Sequence, residues 1–346
     1  MGRQTGDVAD MTDRSIKIDA FLQNAGWSGA QRALLAGDAS NRRYDRLRQA
    51  NGDGAILMDA PPDRGEDVRP FIRIAQHLTK SGFSAPQIYH ADPDTGLLLI
   101  EDLGDGLFAR LMTQAPDRTI ELYTAAADFL TALHSAPTLA LPICDANWLA
   151  EATTPAFDWY APDADATQIE TFRSKFHPLA ARLDEIEKVI ILRDFHAENL
   201  LWLDDRSGTA QVGVLDFQDA LLGHPAYDLV SILQDARRDV PPAIESAMID
   251  HYLAQTGRAP RQFRSAYALL GAQRNLRILG IFARLCLRDG KAHYVDLIPR
   301  VWGYLLRNLQ HPDLHDIATL ITDILPAPTP DFLEHLKRQC LNPPRP

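Results

Sequence analysis

The chain has 346 residues, 46% of them apolar and 23% charged, and its 35 Lys and Arg against 46 Asp and Glu leave a formal net charge of −11. That much apolar material sustains a core, and the length suits two domains. The acidic balance argues against nucleic acid and an anionic membrane surface as partners, since both ask for a basic face.

The first residues contain no apolar core of a secretion signal, and no apolar run approaches the roughly 20 residues that span a bilayer, so a cytoplasmic protein is expected. Apolar spacing predicts a helix over Ser15–Gly26. Leu34–Leu35 and Tyr44–Leu47 flank a turn at Gly37–Asn41, and Ala55–Met58 is a short strand stopped by Pro61-Pro62. A helix follows over Pro70–Ser81, then two strands, Gln87–His90 and Leu97–Glu101, around the turn Asp92–Gly96. Beyond Gly104 the pattern turns helical: Thr119–His134, Tyr227–Gln234 and the long stretch Gln262–Leu309. This shift sets a boundary between residues 1–103 and 104–346, with Gly104 and Gly106 as a hinge. Cys144, Cys286 and Cys340 lie far apart with no CxxC, which fits neither a disulfide framework nor a structural zinc site.

Two buried-strand patterns in the second half end in carboxylates. Val189–Leu192 runs into Arg193-Asp-Phe-His-Ala-Glu-Asn199, and Val212–Leu215 into Asp216-Phe-Gln-Asp219. Phosphoryl transfer from ATP needs a carboxylate to orient and deprotonate the acceptor hydroxyl, and oxygen ligands to hold Mg²⁺ against the phosphates. Asp194 suits the first role; Asn199 and Asp216 suit the second.

These segments resemble the catalytic and metal-binding loops of the aminoglycoside phosphotransferase branch of the protein-kinase-like fold, which read H-x-D-F-H-x-x-N and then D-[FW]-[EQ]. The resemblance implies an α+β, bilobal fold: a nucleotide-binding N-terminal lobe (1–103) with an antiparallel sheet plus helices, and a mostly helical, catalytic and substrate-binding C-terminal lobe (104–346). It implies ATP and Mg²⁺ as cofactors. Gly37-Asp-Ala-Ser-Asn-Arg-Arg-Tyr44 resembles the loop that covers the nucleotide, so Ser40, Asn41, Arg42 and Arg43 are candidate phosphate donors. Leu98-Leu-Ile-Glu-Asp-Leu-Gly104 resembles the hinge, with backbone near Glu101 and Leu103 meeting the adenine. His196 takes a structural place in the loop, and Asp228 one bracing it from below.

The chain departs from the pattern twice. Leu192 stands where the family has its first His, and Met58 falls where a third-strand Lys holds the phosphates. The helix Pro70–Ser81 carries no inward Glu, so both halves of that ion pair are missing together, which is cheaper than burying one charge alone. Arg42 or Arg43, with Mg²⁺, then meets the phosphate charge.

A longer likeness, over about residues 30–310, runs to the amino-sugar kinases of the family. It rests on Met58-Asp-Ala-Pro-Pro62, Asp216-Phe-Gln-Asp-Ala220, Ser231–Asp239 and Arg274-Asn-Leu with Gly280–Arg284. It implies phosphorylation of the C1 hydroxyl of an amino sugar, N-acetylmuramate or N-acetylglucosamine, in cell-wall recycling, by a monomer acting on a small molecule. Gln218 and Asp219 are then placed to reach sugar hydroxyls, Arg238, Arg274 and Arg277 to meet an anionic group, and Trp148, Trp159 or Tyr160 to stack on a ring. Two alternatives stand beside it. One is another small acceptor, such as choline or an aminoglycoside. The other is a nucleotide-binding regulator without turnover, suggested by Met58 and Leu192.

Overall fold

Strict alternation of side chains builds the first part of the chain. In the computed structural model, which describes residues 4–37 and 41–341, helix α1 (Gln4–Asn24) leads into β1 (Gln31–Gly37), β2 (Arg43–Arg48) and β3 (Gly54–Asp59). Then come α2 (Arg69–Lys80), β4 (Ile88–Asp92) and β5 (Leu97–Ile100). The five strands form one antiparallel sheet in the order β1-β2-β3-β5-β4. Because successive side chains point to opposite faces, Leu47, Ala55, Leu57, Leu97 and Leu99 share one face and bury against Ile18, Phe21 and Leu22 of α1. Each such leucine or phenylalanine contributes about 1.5–3 kcal/mol. The opposite face carries Ile56, Met58, Leu98 and Ile100.

The rest of the chain comprises α3 (Phe108–Gln114), α4 (Thr119–Ser135), α5 (Ala146–Glu151), α6 (Ala166–Ala181), β6 (Val189–Ile191), β7 (Leu200–Trp202), β8 (Val212–Val214) and β9 (Leu221–Gly223). After these follow α7 (Ala226–Leu233), α8 (Pro242–Thr256), α9 (Pro260–Leu287), α10 (Ile298–Leu309), α11 (His315–Ile324) and α12 (Pro330–Leu341). The chain divides into two compact units. The first runs to Arg110 and takes back Asn199–Asp219; the second holds Leu111–Glu198 and everything from Ala220 on.

Within the first unit the β7–β8 hairpin is antiparallel, with Leu200 opposite Val214. It is tied to the sheet's own loops: Val214 donates its N–H to the Ser84 carbonyl at 2.9 Å, and Trp202 to the Gly106 carbonyl at 2.7 Å. A Cβ on Gly106 would come within 2.4 Å of the Trp202 carbonyl oxygen, so only glycine admits this approach.

Within the second unit β6 pairs with β9, and α9, 28 residues long, forms the core of the helices. The helical stretch expected over Gln262–Leu309 is interrupted: α9 ends before Gly290 (φ +69°), whose N–H bonds to Cys286 while that of Lys291 reaches Leu285. This is a left-handed cap of the Schellman kind, and α10 starts afresh at Ile298. Among the described residues no helix is long and apolar enough to cross a membrane.

Candidate functional site

A cavity of about 300 Å³ opens in the first unit. Tyr44, Ile56, Phe71 and Ile100 supply apolar walls, Glu101–Gly104 one edge, and Asn199 and Asp216 the far end. The apolar face of the sheet thus ends at two oxygen-bearing side chains brought in by the hairpin. Asn199 precedes β7 and Asp216 follows β8. The Leu215 N–H on the Asn199 carbonyl (2.9 Å) continues the ladder to the two side chains, which meet with Asn199 Nδ2 3.5 Å from Asp216 Oδ2.

Asp216 lies at φ +54°, a left-handed conformation rare outside glycine. Its neighbours hold it there. Phe217 is buried and stacks on Phe71 at 4.8 Å, and Gln218 Nε2 donates to Asp216 Oδ1 at 2.7 Å. Strain of this kind, about 1–3 kcal/mol, persists where the surroundings over-determine it. Gln218, expected at the sugar, is engaged with Asp216; Asp219 is exposed.

At the hinge, Glu101 pairs with Arg206, accepts the Gln87 N–H on its side chain at 3.2 Å, and donates its own N–H to the Gln87 carbonyl at 2.8 Å. Leu103 lines the cavity. Of the candidate phosphate donors, Ser40 lies outside the described residues. Asn41 donates its N–H to Glu66 and its side-chain amide to the Arg64 carbonyl. Arg42 pairs with Glu66 at 2.7 Å, and Arg43 with buried Asp45 at 3.0 Å.

In the second unit the segment 192–196 is gripped residue by residue. Fully buried Asp228 accepts the N–H of Leu192 (2.6 Å) and of Arg193 (2.9 Å). The Arg193 carbonyl accepts from Ser231 Oγ and from Arg274 Nη1, each at 3.2 Å. Arg193 stands at φ +70°. Phe195 is buried against Phe129. Asp194 is therefore carried between two pinned residues, itself only half-buried. Burial lifts the Asp228 carboxyl to about 7, against the two N–H bonds and Arg274. His196 is buried beside Arg237 Nη1 (3.4 Å); burial first, and then that cation, push it down to about 4, so it is neutral at pH 7.

Two further guanidiniums meet here. Arg193 lies 5.4 Å and Arg277 5.9 Å from the ring centre of Trp148, which meets Tyr227 edge-on. Arg274 is buried over Tyr227 and holds the loop's backbone. Arg238 Nη1 lies 3.1 Å from Met112 Sδ. Tyr160 is core, its hydroxyl on the Pro326 carbonyl and its ring on Trp302. Arg193 had no role in the sequence pattern, where it fills a variable position; only its contact with Trp148, 45 residues earlier, singles it out.

The model of the phosphotransferase enzyme family matches residues 32–264. An N-acetylmuramate/N-acetylglucosamine kinase of Caulobacter vibrioides is 38% identical, over 92% of this chain and 98% of its own. One of Pseudomonas aeruginosa is 31% identical, over 86% and 91%. A crystal structure of a choline/ethanolamine kinase family protein from Mesorhizobium loti superposes with a TM-score of 0.62 at 14% identity, covering 89% of this chain and 99% of that one. With its α+β kinase-like fold and its match over two thirds of the sequence, the chain belongs to the phosphotransferase enzyme family.

Proposed function

We propose that the protein is an ATP-dependent amino-sugar kinase that phosphorylates N-acetylmuramate and N-acetylglucosamine on the anomeric C1 hydroxyl. It would serve peptidoglycan recycling, as a cytoplasmic monomer. The first unit would hold the nucleotide and the second the acceptor. The observation that carries the reading is the Asp194 loop. A half-buried carboxylate is fixed between pinned residues, and the guanidinium of neighbouring Arg193 stands with that of Arg277 over Trp148. Guanidiniums suit the carboxylate that N-acetylmuramate carries, and an aromatic face suits the C–H face of either sugar's ring. The two relatives of 31% and 38% identity, both named for such acceptors, support the same choice.

In this mechanism Asp194 accepts the hydroxyl proton. An anomeric hydroxyl is more acidic than an ordinary alcohol, so a weakly basic carboxylate suffices and positioning supplies most of the rate. The donor set also fits Mg²⁺. Among the described residues no group of three His, Cys, Asp or Glu gathers. A magnesium ion in a kinase site asks instead for one or two protein oxygens, with phosphates and water completing the shell. Asn199 and Asp216 would hold it; when bound, it neutralises charge on the phosphates. Gln218 keeps the Asp216 carboxylate turned, and the neutral His196 and buried Asp228 keep the base in place.

The test is an ADP-release assay over N-acetylmuramate, N-acetylglucosamine, choline and an aminoglycoside, with NMR to locate the phosphate. Turnover confined to choline or the aminoglycoside would reject the reading. Asp194→Asn should lose turnover and keep ATP binding. A protein that binds ATP and turns over no acceptor would instead be the regulator that Met58 and Leu192 suggest.

A further inference from the structure

The third-strand position that holds phosphates in this fold is Met58, almost wholly buried between Tyr44 of β2 and Leu98 of β5. Its strand neighbour two residues back, Ile56, lines the nucleotide cavity, so Met58 lies on the cavity face and brings no charge to it. The two arginines before and at the start of β2 part ways. Arg43 shares the parity of Asp45 and Leu47. It pairs with Asp45 and faces a separate cavity of about 490 Å³ on the α1 side, with Arg14 and Arg32. Arg42 lies just before β2, and its guanidinium interacts with the phenol of Tyr44, which lines the nucleotide cavity.

Arg42 also has an acid. Its Nε donates to Glu66 Oε2 at 2.7 Å, with side chains only 14% and 10% exposed. The other oxygen, Glu66 Oε1, accepts the Asn41 N–H at 3.1 Å, and the Asn41 amide reaches the Arg64 carbonyl. Glu66 lies between β3 and α2, so one carboxylate fixes both the backbone and the cation at the end of the β1–β2 loop. Arg42 meets the cavity through the Tyr44 phenol and does not line it itself, while Asn41 and Arg64 line the α1-side cavity; a buried, acid-paired cation next to a cavity-lining residue is the counterpart of the lysine–glutamate pair of this fold.

We propose that Arg42, positioned by Glu66, replaces the missing lysine–glutamate pair and holds the α- and β-phosphates of ATP; this rests on the kinase reading above. The guanidinium has five donors in a planar fork, enough to hold a carboxylate on one edge and a phosphate on another, which a lysine ammonium does only as a point charge. Burial works against its charge, but Glu66 and Tyr44 outweigh it, and Arg42 stays a cation.

The test is calorimetric binding of ATP, ADP, AMP and adenosine to the full-length protein with Mg²⁺, beside kinetics. Arg42→Ala should weaken ATP and ADP at least tenfold and leave adenosine within twofold. Arg42→Lys should keep ATP within about threefold, and Glu66→Gln should raise KM for ATP more than it lowers kcat. Arg42→Ala with Met58→Lys should regain several-fold of the lost ATP affinity, whereas Arg43→Ala should lose none. Wild-type ATP affinity in Arg42→Ala overturns the proposal, and so does an equal loss for all four ligands, which would mark a merely structural residue. If Arg42→Ala does not fold, Arg42→Gln takes its place: wild-type ATP affinity, or an equal loss for all four ligands, overturns the proposal. A wild-type protein that binds no adenine nucleotide fails the kinase reading itself, a different result.

Discussion

Asp228→Asn separates stability from function at the catalytic loop. The wild-type carboxylate is fully buried, and its pKa rises from 3.8 to about 7 because burial outweighs the two N–H bonds and Arg274. A group whose pKa is raised by folding contributes stability below its unfolded pKa and loses it as pH climbs to the folded one. The loss thus accumulates between pH 4 and 7. A rise of about three at 1.36 kcal/mol each makes it about 4 kcal/mol by pH 8. Asparagine resembles the protonated acid in shape and cannot ionise. The N–H left facing its amide costs the variant about 1–3 kcal/mol at every pH, so relative to the wild type it should gain about 4 kcal/mol between pH 4 and pH 8 and be the more stable by pH 8, in urea unfolding followed by circular dichroism. Its activity should move the other way. The amide offers one oxygen where the carboxylate offered two, so either Leu192 or Arg193 turns its N–H toward an NH₂ group. Arg193, strained at φ +70°, is then released and Asp194 shifts with it. A displacement of about 1 Å costs roughly 100-fold in kcat, with ATP affinity unchanged. A variant less stable than the wild type at pH 8, or one that keeps full kcat, would refute the reasoning.

Three further expectations follow from burial. His134, His196 and His224 are pushed down to about 3, 4 and 3 by burial first and nearby cations second, so the fold cannot protonate them at pH 5 while the unfolded chain can. Each then removes about 2 kcal/mol between pH 8 and 5; in the Asp228→Asn background, free of the carboxyl's opposite slope, urea midpoints should fall steeply on acidification, and flat midpoints would contradict the burial argument. Cys144, Cys286 and Cys340 are buried, free thiols, the first two pushed up to about 12 by burial, so a thiol reagent should label none rapidly in the native protein and three in urea. A Cβ on Gly280 would stand 2.0 Å from the backbone carbonyl carbon of Pro155, which cannot swing aside; Gly280→Ala should destabilise by about 3 kcal/mol or more in thermal unfolding, and an unchanged melting temperature would show that α9 shifts freely.

What the sequence made legible was whatever repeats locally. Short apolar runs between turn signals located β3 and β5, which are buried on both faces, and period-3.6 spacing located α2 and α4, which bury one face. Strands β7 and β9 are three residues long and owe their existence to partners 12 and 32 residues away at their centres, which no local period announces. Helix α9 carries apolar or buried residues all round, so its boundary could not be read from a stripe; Gly290 and Pro299 are the stop and restart signals inside the expected helical stretch.

The chemistry divides the same way. Asp194, Asn199 and Asp216 could be nominated from the sequence because the proposed phosphoryl transfer calls for those residue types next to strand ends. The arginines were not. Arg42 and Arg43 are adjacent and chemically identical in sequence, yet packing sends one toward Tyr44 and Glu66 and the other toward Asp45. Arg274 and Arg277, three apart on α9, separate in the same manner: one is buried over Tyr227 and holds a backbone carbonyl, the other stands over Trp148. Carboxylates in this fold are told apart by what precedes them in the chain. Cations are told apart by which acid or ring they meet, and that is settled only when distant segments pack.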